Sequence, residues 1–165
     1  MTGAPTPERL AALRGDLLQF AQGAEHPLGF GWLDESGRLD PTRPVELWIT
    51  CRMTHVMCLG LLVDEAPAAG GPGGEDLRRL ATHGVRALST SLRDATYGGW
   101  FAAVDGHGPV SDTKQAYGHA FVLLAASSAV VAGVPEARDL LDDAIAVDGA
   151  RFWDCLLYTS PSPRD

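Results

Sequence analysis

Hydrophobic residues recur every three or four positions in three segments of the chain, which is the spacing of an α-helix with one apolar face. The first segment opens with Thr6 and Pro7, residue types favoured at helix N-termini, and it ends before Gly23. The other two segments cover residues 75–94 and 135–147. The apolar stripe of the first segment comprises Leu10, Leu13, Leu17 and Ala21. We therefore expect three amphipathic helices, each with one buried side.

Two further segments are apolar on almost every side, which is typical of helices that lie inside a protein. The first begins at Thr42 and Pro44 and reaches about residue 62, and the second begins at Asp112 and reaches about residue 132. Asp112 and Gln115 have the spacing of a capping box, which predicts that Asp112 starts the second helix. The buried and half-exposed helices therefore alternate along the chain.

Each apolar helix follows a turn-rich segment that we expect to form a hairpin, at residues 29–44 and 97–111. The matching positions are Gly31-Trp32 with Gly99-Trp100, 68 residues apart, and Trp48 with Tyr117, 69 residues apart. These matches indicate a weak internal repeat of a two-helix unit. The pattern predicts an all-α ring in which outer helices shield inner helices around a central cavity. An open stack of helical pairs is the alternative, although its repeats are usually shorter.

The sequence changes character at its end. Residues 155–165, CLLYTSPSPRD, contain two prolines and no helical period, and they resemble translated vector or adapter sequence. We assign residues 1–154 to one domain and treat residues 155–165 as a non-native tail, with a native disordered C-terminus as the alternative. The segment APAAGGPGG, residues 66–74, predicts a flexible surface loop.

Composition narrows the possible partners. The chain has 165 residues, of which 45% are hydrophobic, and a formal net charge of −8. This charge argues against nucleic acid or an anionic membrane surface as a partner. No apolar run is long enough to span a membrane, and no signal-peptide pattern precedes the first helix. Three cysteines without a CxxC pair favour the cytoplasm.

The first apolar helix carries unexpected polar residues. Trp48, Arg52 and His55 fall within about 60° on a helical wheel, so one stripe presents an indole, a guanidinium and an imidazole. An arginine inside a protein requires a carboxylate, for instance Glu46, or a wet cavity. Sugars stack on indoles and accept hydrogen bonds from guanidinium groups, so the stripe favours a polyhydroxylated ligand.

A metal site is a weaker interpretation of the same helix. Cys51, His55 and Cys58 share a face, but structural zinc usually has a fourth ligand and closer cysteines. We therefore predict no metal. A single histidine on an inner helix is more often a packed core residue than a ligand, so His55 carries less weight than Trp48 or Arg52.

The second apolar helix offers a second set of side chains. Lys114, Tyr117 and Phe121 lie on one side, whereas His119 lies about 160° from Tyr117. We expect Tyr117 to line the cavity and His119 to pack between helices. Trp100, like its repeat partner Trp32, either borders the pocket or anchors its own turn.

Four blocks of sequence together resemble the N-acylglucosamine 2-epimerase family, and in particular its bacterial mannose and sulfoquinovose isomerases. The blocks are LWITCRMTHVMCLGLL, YGGWFAAVD, DTKQAYGHAFVLLAASSA and PEARDLLDDAI, and the similarity covers residues 31–154. The resemblance implies an (α/α)6 barrel that interconverts aldoses and ketoses, or epimerises C2, without a metal or another cofactor. It also implies that Trp48 and Arg52 hold the sugar and that Tyr117 is a pocket residue.

The resemblance further implies that the acid–base histidines lie in later helices than those of this chain. We therefore expect an incomplete barrel that binds a sugar and has no isomerase activity alone, with exposed apolar flanks that promote aggregation. Two other classes stay open. A glycoside hydrolase would need two carboxylates in the cavity, where only Glu46 and Asp112 are available. A helical-repeat interaction module would leave the Trp48–Arg52 stripe exposed.

Overall fold

The computed structural model describes residues 6–63 and 71–153, which contain five α-helices joined by short turns and strands. The helices are α1 (Pro7–Ala21), α2 (Leu47–Val63), α3 (Gly74–Ser89), α4 (Ala116–Val131) and α5 (Ala137–Arg151). The strands are β1 (Glu25–His26), β2 (Gly29–Phe30), β3 (Val45–Glu46), β4 (Ala103–Asp105) and β5 (Gly108–Ser111). The predicted number of helices and their hairpin-like connections are confirmed. The predicted tail and most of the predicted loop at 66–74 lie outside the described residues.

The helices form two layers. The inner helices α2 and α4 pack against each other, α3 packs against α2, and α5 packs against α4. Arg52 contacts Phe121 near the start of both inner helices, and His55 contacts Ser128 farther along, so the two helices run in the same direction. This arrangement confirms the predicted alternation of inner and outer helices. Among the described helices, none is both long and apolar enough to cross a membrane.

The hydrophobic core lies where α3 and α4 meet α2. Its fully buried side chains include Met57, Cys58, Leu77, Leu80, Val85, Leu88, Trp100 and Val122. Alanines at 125, 126 and 129 allow α4 to approach its neighbours closely. On α5, the buried positions Ala137, Leu140, Ala144 and Val147 follow the helical period, which confirms the predicted amphipathic fifth helix.

Short strands connect the helices at the N-terminal ends of α2 and α4. β1 pairs with β2, and an isolated bridge between Leu33 and Leu39 closes the predicted turn around Asp34. β3, β4 and β5 form an antiparallel sheet in which Val45 lies opposite Val104. This sheet joins the first helical unit to the second.

The two units attach to their inner helices in the same way, although not at the residues that the sequence repeat pairs. The backbone N–H of Phe30 donates to the Thr50 hydroxyl at 3.1 Å, and the backbone N–H of Trp100 donates to Nε2 of His119 at 3.2 Å. Thr50 and His119 are each the fourth residue of their helix. Trp100 therefore corresponds to Phe30, and the predicted pairing with Trp32 is displaced by two residues.

Helix α2 begins later than the sequence predicts. The Asp40 carboxylate accepts hydrogen bonds from the backbone N–H and the hydroxyl of Thr42, which hold a turn in place of a helix start. Val45 and Glu46 then pair with β4, so the first helical residue is Leu47. Pairing with a distant strand thus overrides the local helix signal.

Two other predicted helix boundaries are wrong. Helix α3 ends at Ser89 and does not reach residue 94, where the Asp94 carboxylate closes a separate turn by accepting the N–H groups of Thr96 and Tyr97. Helix α4 begins at Ala116, and its N-cap residue Gln115 makes no capping hydrogen bond with its side chain. The predicted capping box at Asp112 is therefore absent.

Helix α1 leaves much of its apolar stripe uncovered. Thr6 caps the helix as predicted by accepting the N–H of Arg9 at 3.3 Å. However, Leu10, Leu13 and Leu17 are about half exposed, whereas the sequence predicts that they pack into the core. With Val56, Leu59 and Val63 of α2 they line an apolar groove of about 410 Å³.

The exposed groove predicts self-association of the purified chain. Leu17→Lys places a charge in the groove, and we expect it to reduce self-association in sedimentation velocity experiments at a fixed protein concentration. Gln19→Lys, on an exposed position of the same helix, adds the same charge outside the groove and should have little effect. Equal self-association of both variants would exclude the groove as the cause.

Gly99 allows the close approach between the second hairpin and α4. Its φ of +76° lies in the left-handed region, and a Cβ atom there would lie 2.7 Å from Nε2 of His119. We expect Gly99→Ala to lower the free energy of unfolding by about 2 kcal/mol, measured by denaturant titration. Gly106→Ala is the control, because nothing lies within 4 Å of a Cβ at that site. A similar loss in both variants would contradict this explanation.

Candidate functional site

A cluster of rings surrounds Arg52 where the inner helices begin. The Cζ atom of Arg52 lies 5.5 Å from the ring centre of Trp48 and 5.2 Å from the ring centre of Phe121. The Phe121 ring contacts the Tyr117 ring edge-on, with 4.9 Å between their centres. We call Trp48, Arg52, Tyr117 and Phe121 the Arg52 cluster. The structure thus brings together Trp48, Arg52 and Tyr117, which the sequence predicts as sugar-binding residues, and adds Phe121 between them.

Helical spacing explains how the Arg52 cluster forms. Trp48 and Arg52 are four residues apart on α2, and Tyr117 and Phe121 are four residues apart on α4. Residues at this spacing share a helix face. Because the two helices lie side by side and run in the same direction, these faces meet at the same distance from the N-terminal ends of the two helices.

Arg52 has an unusual environment for an arginine on an inner helix. Its side chain is exposed, whereas the sequence predicts a buried stripe, because neither inner helix is covered on this face within the described residues. Among those residues, no hydrogen-bond acceptor or carboxylate contacts its guanidinium. Glu46, the expected alternative partner, instead accepts a hydrogen bond from Nε1 of Trp48. The Arg52 donors are therefore available to a ligand.

Trp32 and Arg43 extend the Arg52 cluster toward the first hairpin. Trp32 packs edge-on against Trp48 with 5.8 Å between ring centres, and the Arg43 guanidinium lies 3.4 Å from the Trp32 ring centre. Nε1 of Trp32 is buried and has no hydrogen-bond partner in the described part of the chain. Sequence reasoning missed Arg43 because it lies in an irregular polar segment, where no periodicity indicates which residue it faces.

His55 lies at the seam between the inner helices, about one helical turn beyond Arg52. Its Nδ1 atom lies 2.6 Å from the Ser128 hydroxyl oxygen of α4. The His55 side chain is half-buried, on the side of α2 that also carries Arg52. Ser128 was not predicted, because no pattern within α4 distinguishes it from the neighbouring Ser127.

Lys114 and Trp100 belong to a different part of the molecule. Lys114 precedes α4, and its Nζ atom donates to Oδ2 of Asp94 at 2.8 Å and lies 4.1 Å from the Phe101 ring centre. Trp100 is 1% exposed, and its Nε1 donates to the Leu88 carbonyl at 2.6 Å. The structure therefore places neither side chain in the Arg52 cluster.

His119 packs inside the protein, as predicted. It accepts the Trp100 N–H, and its Nδ1 lies 2.8 Å from the Gln115 carbonyl, so the proton is on Nδ1. Rings of Trp100 and Phe152 contact it at 5.4 Å and 4.7 Å between centres. Burial lowers its pKa, which favours the neutral imidazole that this hydrogen bonding needs.

The two cysteines of α2 are buried free thiols. Burial raises the pKa of Cys51 well above its usual range and that of Cys58 to about 11. These thiols are therefore protonated at neutral pH, a form that binds metals poorly. In the described ranges, no three histidine, cysteine or acidic residues are placed to hold a metal ion.

One known protein family matches most of the chain. The family model for N-acylglucosamine 2-epimerase (GlcNAc 2-epimerase) matches residues 29–159. The chain belongs to this family. The match includes α2 to α5 and therefore the whole Arg52 cluster.

Two relatives within the family are D-mannose isomerases. The chain is 53% identical to the enzyme from Thermobifida fusca over 140 residues, which cover 84% of this chain and 32% of that protein. It is 47% identical to the enzyme from Pseudomonas cannabina pv. alisalensis over 151 residues, which cover 90% of this chain and 34% of that protein. The chain thus spans about a third of the length of the relatives it matches.

Solved structures agree on the fold. The chain is 27% identical to a cellobiose 2-epimerase from Spirochaeta thermophila DSM 6192, with a TM-score of 0.69, and the match covers 91% of this chain and 39% of that protein. It is 20% identical to a D-mannose isomerase of known crystal structure, with a TM-score of 0.75, and the match covers 93% of this chain and 40% of that protein. Both are (α/α)6 barrels, so the predicted fold is confirmed: these helices form part of such a barrel.

The Asp94–Lys114 pair predicts a specific response to acid. The hydrogen bond from Lys114 and the N–H groups of Tyr97 and Thr96 lower the pKa of Asp94 from 3.8 to about 2. Because the folded state has the lower pKa, this carboxylate stabilises the fold above pH 3.8, and the stabilisation is lost as the pH falls from there toward 2.

We expect Lys114→Met to reduce stability at neutral pH and to flatten the decline in stability between pH 4 and pH 2, measured by urea unfolding. Arg79→Met is the control, because it removes the exposed ion pair with Glu25. The control should lose less stability at neutral pH. If Lys114→Met keeps the wild-type dependence of stability on pH between pH 4 and pH 2, the pKa of Asp94 does not depend on Lys114.

Proposed function

We propose that this chain carries sugar-binding residues of an aldose–ketose isomerase that acts on D-mannose. One observation carries the proposal: the guanidinium of Arg52, which has no carboxylate partner among the described residues, lies between the rings of Trp48 and Phe121, in a chain that is 53% identical to a D-mannose isomerase. The exposure of Arg52 is what a non-enzymatic repeat module would show, but membership of the family favours a sugar isomerase over both that module and a glycoside hydrolase.

The chemistry of the Arg52 cluster suits a monosaccharide. The apolar C–H face of a sugar ring packs on an aromatic ring, which Trp48 and Tyr117 supply from the two inner helices. Arg52 supplies several N–H donors in one plane, which match neighbouring sugar oxygens. Glu46 holds the Trp48 indole through Nε1 and so restricts the orientation of that ring.

The reaction of a complete isomerase would move a proton between C2 and C1 through a cis-enediol. Negative charge then develops on the two oxygens bound to these carbons, and Arg52 would stabilise it electrostatically. We assign no proton-transfer residue to this chain, because the resemblance places the acid–base histidines outside it. A 2-epimerase would use the same enediol, and products distinguish the two: D-mannose gives fructose by isomerisation and glucose by epimerisation.

Direct binding tests the proposal. We expect D-mannose to change the tryptophan fluorescence of the purified chain, and Arg52→Met to weaken binding at least ten-fold, because hydrogen bonds to a charged group contribute about 1.5–3 kcal/mol. Arg38→Met is the matched control, because Arg38 is an exposed arginine paired with Asp34 in the first hairpin. No D-mannose binding by the wild type, or equal binding by both variants, would refute the assignment.

An activity assay tests the division of roles. The purified 165-residue chain should form no fructose from D-mannose, because it is expected to bind the sugar without supplying the acid–base pair. Fructose formation that disappears in Arg52→Met would show instead that the proton-transfer residues lie within this chain.

We also infer a cytoplasmic location. Two free thiols at Cys51 and Cys58 support it, because a reducing compartment keeps such cysteines unpaired. The net charge of −8 is consistent with a small-molecule ligand and disfavours nucleic acid as a partner.

A further inference from the structure

The hydrogen bond between His55 and Ser128 joins the two inner helices next to the Arg52 cluster. Nδ1 of His55 lies 2.6 Å from the Ser128 hydroxyl oxygen. The same hydroxyl lies 2.8 Å from the backbone carbonyl of Leu124, one turn earlier on α4. The serine oxygen therefore has two close polar neighbours and a single hydrogen to share between them.

Counting protons gives the tautomer of His55. A carbonyl oxygen can only accept, so the contact with Leu124 is favourable when the Ser128 hydroxyl donates to it. The serine oxygen must then accept from His55, which requires a hydrogen on Nδ1. In the opposite arrangement the Ser128 hydroxyl would donate to Nδ1 of His55. The lone pairs of the serine oxygen and of the Leu124 carbonyl oxygen would then face each other at 2.8 Å.

This tautomer leaves Nε2 of a neutral His55 without a hydrogen. In the described part of the chain, no group forms a hydrogen bond with Nε2, and the side chain is only half-buried. His55 is three residues from Arg52, which places the two side chains on neighbouring positions of one helix face. The helix face that carries the acceptor nitrogen of His55 thus also carries the Arg52 guanidinium, which can only donate.

We infer that Ser128 is a positioning residue that holds His55 as the Nδ1–H tautomer, so that Nε2 accepts a hydrogen bond from a hydroxyl of the bound sugar. This inference rests on the proposed sugar-binding function and adds a second polar contact to it. A hydroxyl group donates one hydrogen bond and accepts others. The same hydroxyl, or two neighbouring ones, can therefore accept from Arg52 and donate to His55.

The tautomer can be measured without any sugar. Two-bond ¹H–¹⁵N correlation spectra of the imidazole, recorded at alkaline pH, distinguish a protonated Nδ1 from a protonated Nε2. We expect Nδ1–H for His55 in the wild type, its loss in Ser128→Ala, and its retention in Ser128→Thr, which keeps a hydroxyl that can bond to the carbonyl four residues earlier. Alanine is well tolerated in a helix, so Ser128→Ala should still fold.

Ser127→Ala is the matched control, because Ser127 is the exposed neighbour on the same helix and should leave the His55 spectrum unchanged. Nε2–H in the wild type, or the same tautomer in the wild type and in Ser128→Ala, would overturn the role of Ser128.

Addition of D-mannose tests the second half of the inference. We expect the Nε2 signal of His55 to shift in the wild type, and His55→Ala to bind D-mannose up to about ten-fold more weakly through the loss of one hydrogen bond. If D-mannose shifts the Trp48 indole signal but leaves Nε2 unchanged, the sugar contact of His55 is refuted while the proposed function stands. If D-mannose shifts no signal, the proposed function fails together with that contact, whereas the tautomer result stands independently.

Discussion

The close approach of the two inner helices is the constraint on which the rest of the site depends. Gly118 of α4 lies beneath Leu47 of α2, where a Cβ atom would come within 2.9 Å of the leucine side chain. A larger residue at 118 would have to displace the buried Leu47 side chain or increase the distance between the helices near their N-terminal ends. That distance determines whether Arg52 can contact Phe121 and whether His55 can contact Ser128, because both contacts cross the seam between α2 and α4. The packing of Gly118 against Leu47 thus helps to set the positions of the Arg52 and His55 side chains.

Among the described residues, Arg52 has no carboxylate partner, in contrast to Arg93 and Lys114. Arg93 forms a bidentate pair with Asp143, with N–O distances of 2.6 and 2.8 Å, and also holds the carbonyls of Asp94 and Gly99. Lys114 is paired with Asp94. These charges fasten the turn at residues 93–99 to α5 and to the segment before α4, and their role is complete without a ligand. Glu46, the carboxylate nearest in sequence to the Arg52 cluster, accepts a hydrogen bond from the Trp48 indole. This contrast separates a charge that stabilises the fold from one that is available for binding.

Sequence reasoning recovers features that depend on local periodicity. The spacing of Trp48 and Arg52 on one helix face, the alternation of inner and outer helices and the burial of His119 follow from it. It fails where distant segments decide the outcome. The start of α2 depends on pairing with β4, the ion pair of Lys114 depends on a turn twenty residues earlier, and the stacking of Arg43 on Trp32 depends on how an irregular segment folds back. The exposure of Arg52 is a further example, because helical alternation shows which face is inner but not whether another element covers it.

The sheet formed by β3, β4 and β5 has a consequence for how the protein loses its structure. In arrays of helical pairs each unit contacts only its neighbours, and cooperativity can break down in long arrays. Here β3 belongs to the first unit and β4 and β5 belong to the second, so backbone hydrogen bonds cross the boundary. Opening the second hairpin would release β3, which directly precedes Leu47 and Trp48. The N-terminal end of α2, which carries Trp48 and Arg52, therefore shares its local stability with a distant β-hairpin, and the two units should behave as one cooperative block at this end of the molecule.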